Sequence, residues 1–147
     1  DCAREHGKIV NLHCSGAEAE TAEMLRSRRS ERVIVHWYAG PLDVLSAMVA
    51  DGHFFTVGAE LMHNDHIRDV AAAIPMDQLL TETDNPGGPA WVTGERGVPG
   101  DLWGVTETLA GVKGVSVDEL QAAVTANMVQ LCAGDPAMEP WARLLTT

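Results

Sequence analysis

Three residues of metal-ligand type stand at equivalent places along this chain. His13 and His36 each close a short apolar run, over 9–12 and 33–35, and Asp84 follows a third run over 79–83. Each position reads as the C-terminal end of a β-strand, which is where α/β proteins place their active sites. Imidazole and carboxylate suit zinc and other divalent transition metals, and ligands projecting from neighbouring strand ends can converge on one ion. A lone strand-end histidine is usually structural. Two of them together with an acidic strand end make a constellation, and the site reading rests on the constellation, not on any one member.

The elements that must position these residues are legible as four βα units. Strands are predicted over 9–14, 33–37, 54–57 and 79–83, and helices over about 17–29, 41–50, 65–73, 101–112 and 117–131. The boundaries follow from local chemistry. Arg26, Arg28 and Arg29 suit the negative end of a helix dipole, Pro41 suits a first turn, and Asp51-Gly52 a stop. Ser116 and Glu119 have the spacing of a capping box. The stretch 85–100 is rich in Gly and Pro and is expected to be an irregular loop over the site, a candidate substrate lid. The tail from Gly134 is expected to be a surface segment docked through Trp141 and Leu144 or Leu145. Strands that read as near-continuous apolar runs and alternate with helices indicate a parallel sheet covered on its faces, so the fold class is α/β. Open doubly wound sheets and closed barrels both satisfy that pattern.

The 147 residues, 46% of them hydrophobic, are enough for one domain over 1–147. A net charge of -11 excludes the usual basic footprint of a nucleic-acid binder, so a phosphate substrate would need bound cations to supply its counter-charge. No apolar run has the length of a membrane span. Cys2, Cys14 and Cys132 fit neither a disulfide framework nor a metal clip, and a reducing, cytoplasmic location is expected.

Five strings carry a family resemblance. They are Leu12-His13-Cys14, Val35-His36-Trp37-Tyr38-Ala39-Gly40, Ile74-Pro75-Met76-Asp77-Gln78-Leu79-Leu80, Thr81-Glu82-Thr83-Asp84-Asn85-Pro86 and Asn127-Met128-Val129. In order and spacing, from about Gly7 to Leu131, they resemble the TatD family of metal-dependent nucleases, which are amidohydrolase-type TIM barrels. The block from Ile-Pro to Glu-Thr-Asp-x-Pro is the most specific element.

The resemblance implies the C-terminal half of such a barrel, its strands five to eight. It makes His13 and His36 metal ligands at the fifth and sixth strands, and Asp84 both a ligand and the catalytic, proton-handling carboxylate at the eighth. It implies one or two divalent ions (Zn, Mg or Mn) and DNA as substrate, cleaved as by a deoxyribonuclease. Glu82 and Pro86 would shape the Asp84 turn, and Asn127 would be structural. The family's His-x-His pair and metal-bridging Glu have no counterpart in this sequence; both are expected upstream of Asp1 or from a partner protein that completes the barrel. Ser15 stands where the family often has Arg, so substrate preference is open, and a metal-dependent amidase or lactonase is the alternative on the same fold. A non-catalytic half-barrel that binds a partner chain is the alternative from another class. Trp37 and Tyr38 are read as core packing ahead of base stacking, and Arg96 as a solvated loop residue. Of His53, His63 and His66, only His63 falls in a loop where a site role is open.

Overall fold

The computed structural model describes residues 1–146. Four short strands, β1 (Val10–Leu12), β2 (Val33–Val35), β3 (Phe54–Val57) and β4 (Leu79–Thr81), form one sheet in the order of the chain, and every pairing is parallel. Val10 pairs with Val33, Val35 with Phe55 and Val57 with Thr81. Sequential order has no switch point of the kind that marks a doubly wound sheet.

Among the described residues eight α-helices accompany the strands: α1 (Cys2–Glu5), α2 (Glu18–Ser27), α3 (Leu42–Ala50), α4 (Asp65–Ala73), α5 (Gly87–Thr93), α6 (Leu102–Lys113), α7 (Val117–Cys132) and α8 (Glu139–Leu145). Helices α2, α3, α4, α6 and α7 pack in series, each on the next. They bury one main core that contains Val33, Val35, Leu45, Met48, Phe55, Val57, Val70, Leu79 and Leu109. The alternate residues Ile34, Phe54 and Leu80 face the other way, onto Met128 and Leu131 of α7, as period-two alternation requires. Asn127 explains how α7 is held. Its amide donates to the carbonyls of Met76 and Leu79, both at 2.8 Å, which is the structural role expected for it.

Three expectations need correction. The strands are shorter than predicted: β1 ends at Leu12, β2 at Val35 and β4 at Thr81, each just before a polar residue, His13, His36 or Glu82. The stretch 85–100 is not wholly irregular: it contains α5 and a 3₁₀ turn over Pro99–Asp101. Pro89 falls in the first turn of α5, where the missing N–H breaks no intrahelical bond, and Gly94 ends the helix in the left-handed region. The tail forms α8 against α7, with Trp141 61%, Leu144 69% and Leu145 42% exposed. Buried Asp135 accepts a 2.8 Å hydrogen bond from Lys8.

Candidate functional site at the strand ends

The site is assembled where β1, β2 and β4 run out. The amide of His36 donates to the carbonyl of Leu12 at 2.8 Å, which extends the parallel ladder by one residue and sets His36 beside His13; their ring centres are 5.6 Å apart. At the far side the amide of Glu82 donates to the carbonyl of Val57 at 3.1 Å, so the chain after β4 keeps its register as far as Glu82 before it turns into Asp84.

The two nitrogens of His36 have different neighbours. Nδ1 is hydrogen-bonded to Oε2 of Glu82, and Nε2 faces Oδ2 of Asp84 at 3.8 Å. In the tautomer whose Nδ1–H donates to that carboxylate, the lone pair is on Nε2, on the side of Asp84. A carboxylate behind a histidine is also the usual way in which a metal-ligating imidazole is oriented and made more basic. Glu82 itself is nearly buried, and burial pushes its carboxyl above the ordinary range; the Thr56 hydroxyl and His36 counter that push, and the charge of Asp84 adds to it. Its Oε1 has no hydrogen-bond partner among the described residues.

Two residues beside the site have left-handed backbones, Trp37 with φ 49° and Asp84 with φ 46°. Such positions cost on the order of 1–3 kcal/mol each and persist where the surroundings hold them. Trp37 is held by its amide donating to Thr56 Oγ1 at 3.1 Å and its indole N–H donating to Glu60 at 2.7 Å. Asp84 is held by its carbonyl, which accepts from the amide of Gly88 at 2.6 Å. A Cβ on Gly88 would lie 2.4 Å from the Trp37 ring and 2.8 Å from the Asp84 Cβ, so glycine is needed for α5 to close on the pair.

A cleft of about 980 Å³ opens over this end of the sheet. His13, Ser15, Trp37, Glu60, His63, Asp84 and Trp91 are among the residues that line it. The sequence-predicted site residues are thus gathered at one end: His13 and Asp84 line the cleft, and His36 adjoins both. They do not form a preassembled cage, since no group of three or more His, Cys, Asp or Glu side chains among the described residues is close enough to hold an ion. Two imidazoles and a carboxylate, one imidazole already backed by a second carboxylate, nevertheless form a donor set that fits a divalent cation.

Other residues sort plainly. Tyr38 is core, buried edge-on against Phe55 and donating to the carbonyl of Pro41 at 2.7 Å, whereas Trp37 is a wall of the cleft and not core. His63 lines the cleft; His66 donates to the carbonyls of Ala39 and Gly40; His53 is buried ahead of β3, at the opposite end of the sheet. Arg96 is exposed. The sequence reading missed the pairing of Glu82 with His36, and it missed Glu60 and Trp91. Only Glu82 left a signal, since it stands two residues before a strand-end acid on the same side of the chain.

A parallel α/β sheet whose strand ends gather two imidazoles and two carboxylates beside a cleft is the class that fold and geometry define. The family model of TatD-related DNases matches residues 1–133, and the chain belongs to that family. Human deoxyribonuclease TATDN3 is 29% identical over 126 residues, covering 83% of this chain and 44% of that protein. YcfH of Escherichia coli K12, described as an uncharacterized metal-dependent hydrolase, is 30% identical over 133 residues, 87% of this chain and 50% of that one. The crystal structure of YjjV, a TatD homolog from E. coli K12, has a TM-score of 0.81 at 27% identity, over 88% of this chain and 51% of that chain. A TatD family hydrolase from Entamoeba histolytica, at 15% identity and a TM-score of 0.76, shares the fold. The chain spans about half the length of the curated relatives that it matches.

Proposed function

We propose that this chain is the C-terminal, four-unit half of a barrel that hydrolyses phosphodiester bonds in DNA, with His13, His36 and Asp84 as its share of the metal ligands. Sequential parallel strand order supports the barrel, and the remaining ligands would come from an upstream segment or a partner chain. The observation that carries the reading is His36, held through Nδ1 by Glu82 and presenting Nε2 toward Asp84. One or two divalent ions bound there would supply positive charge to the phosphoryl oxygens and acidify water.

The residues of this chain have separate parts. His13 and His36 offer neutral nitrogen donors, and Glu82 keeps the second of these in the required tautomer. Asp84, half exposed on the open side, accepts the proton of the attacking water. Glu60 is fully engaged by Trp37 and Asn64 and serves to fix the cleft wall.

The test uses the whole encoded protein, its metal content measured by mass spectrometry and its turnover compared on DNA, ester and amide substrates. Bound divalent metal, with DNA cleavage that chelation abolishes and metal restores, is expected. Ester or amide turnover without DNA cleavage would reassign the substrate. A protein that binds no metal and cleaves nothing would be the non-catalytic binding module.

A further inference from the structure

The geometry points to Trp91 as a stacking platform for a nucleobase beside the scissile phosphodiester, a substrate-binding role that rests on the nuclease reading above. Trp91 lines the cleft with its side chain 92% exposed, although an indole has more apolar surface to gain from being covered than other side chains do. The segment that carries it is held at both ends. Gly88, one helical turn earlier on the same face of α5, is closed against Trp37 and Asp84. The far end of the segment is fixed as well: the Gly97 amide donates to the Pro86 carbonyl at 3.2 Å, and a Cβ on Gly97 would lie 2.2 Å from Pro89. The backbone that carries Trp91 is thereby held relative to Asp84.

Charge selects the part of the substrate that this cleft can hold. Its lining contains Glu60, Asp65 and Asp84 and, among the described residues, no lysine or arginine. Phosphates flanking the scissile one find no cationic side chain there, so the usual electrostatic source of nucleic-acid affinity is missing from this wall. A base has a neutral π-face, and stacking on an aromatic side chain is insensitive to which base it is.

The experiment uses the whole encoded protein with its metal. The probes are two end-labelled hexanucleotides with methylphosphonate links, which resist hydrolysis; one carries thymine at every sugar and the other is abasic. By fluorescence anisotropy the base-bearing probe should bind about tenfold more tightly or better, the scale of a single base–aromatic stack. Trp91→Ala should erase that ratio and leave abasic binding unchanged, while Trp91→Phe keeps most of it. An equal loss for both probes, or an unchanged ratio in Trp91→Ala, overturns the proposal. So does a fall of several degrees in Tm without loss of the ratio, which would mean that Trp91 packs under another part of the protein. Cleavage of ordinary DNA is followed in parallel. Cleavage with an unchanged KM in Trp91→Ala removes the stacking role and keeps the nuclease; base discrimination that depends on Trp91 without cleavage keeps the platform and removes the nuclease.

Discussion

At the scale of single residues, the site depends on which groups carry charge and which merely aim another group. Asp84 is the proton acceptor in the proposed reaction, and its left-handed backbone is one that asparagine also tolerates. Asp84→Asn therefore removes the charge and the acceptor without altering the turn. Turnover of DNA at matched metal occupancy should fall by a factor on the order of 10² or more, while the melting temperature holds. His6→Ala, at an exposed position before β1, serves as the unaffected control. Equal activity in Asp84→Asn and wild type would rule out this role. Glu82 acts through His36, so its signature differs. Glu82→Gln keeps an acceptor for the Nδ1 proton but loses the carboxylate behind the ring, and metal affinity measured by calorimetry should weaken by about 10- to 100-fold. If affinity were unchanged while turnover fell, Glu82 would have to touch the reacting groups directly.

At the scale of elements, α5 couples the Asp84 turn to the cleft wall. Gly88→Ala puts a methyl group into the space held by the Trp37 ring and the Asp84 Cβ, neither of which can yield without moving the site. A stability loss of about 1–3 kcal/mol in denaturant melts is expected from the overpacking, with a fall in activity larger than that loss explains. A Gly88→Ala protein as active and as stable as wild type would show that α5 can shift away. This coupling is what the sequence concealed. The strands were legible because β1 to β4 are apolar runs ended by polar residues, and α7 because Ser116 and Glu119 cap it, their side chain and backbone groups bonding reciprocally. In 85–100 the Gly and Pro content argues for a loop, whereas Pro89 and Gly94 sit at helix ends and Gly88 lets α5 close on Trp37 and Asp84. His13, His36 and Asp84 were readable as strand-end positions; the Glu82–His36 pair joins residues 46 apart, and no local pattern encodes it.

At the scale of the whole molecule, the candidate site and the buried histidine His53 lie at opposite ends of the sheet. The site occupies the C-terminal strand ends, while His53 is buried just before β3 at 2% exposure, with Nε2 unpartnered among the described residues. Burial pushes the imidazole of His53 below its ordinary range; Asp51 works against that and Arg26 with it. The sign of the pH effect follows. Below about pH 6.5 the unfolded chain takes up a proton at this position and the folded chain does not, so unfolding gains protons and stability falls as the pH falls. The loss begins near the unfolded pKa and continues down to the depressed folded one, with a limiting slope of about 1.4 kcal/mol per pH unit for one proton. Above pH 7 the contribution is constant. Urea denaturation at pH 7.5, 6.5 and 5.5 should therefore show a declining stability in wild type, and His53→Leu, which cannot take up the proton, should decline less over the same interval. The comparison between the two proteins cancels the carboxylates and the remaining histidines, which titrate in both. An identical pH slope in wild type and His53→Leu would mean that His53 takes up its proton equally in the folded and unfolded chains, and that burial does not depress it.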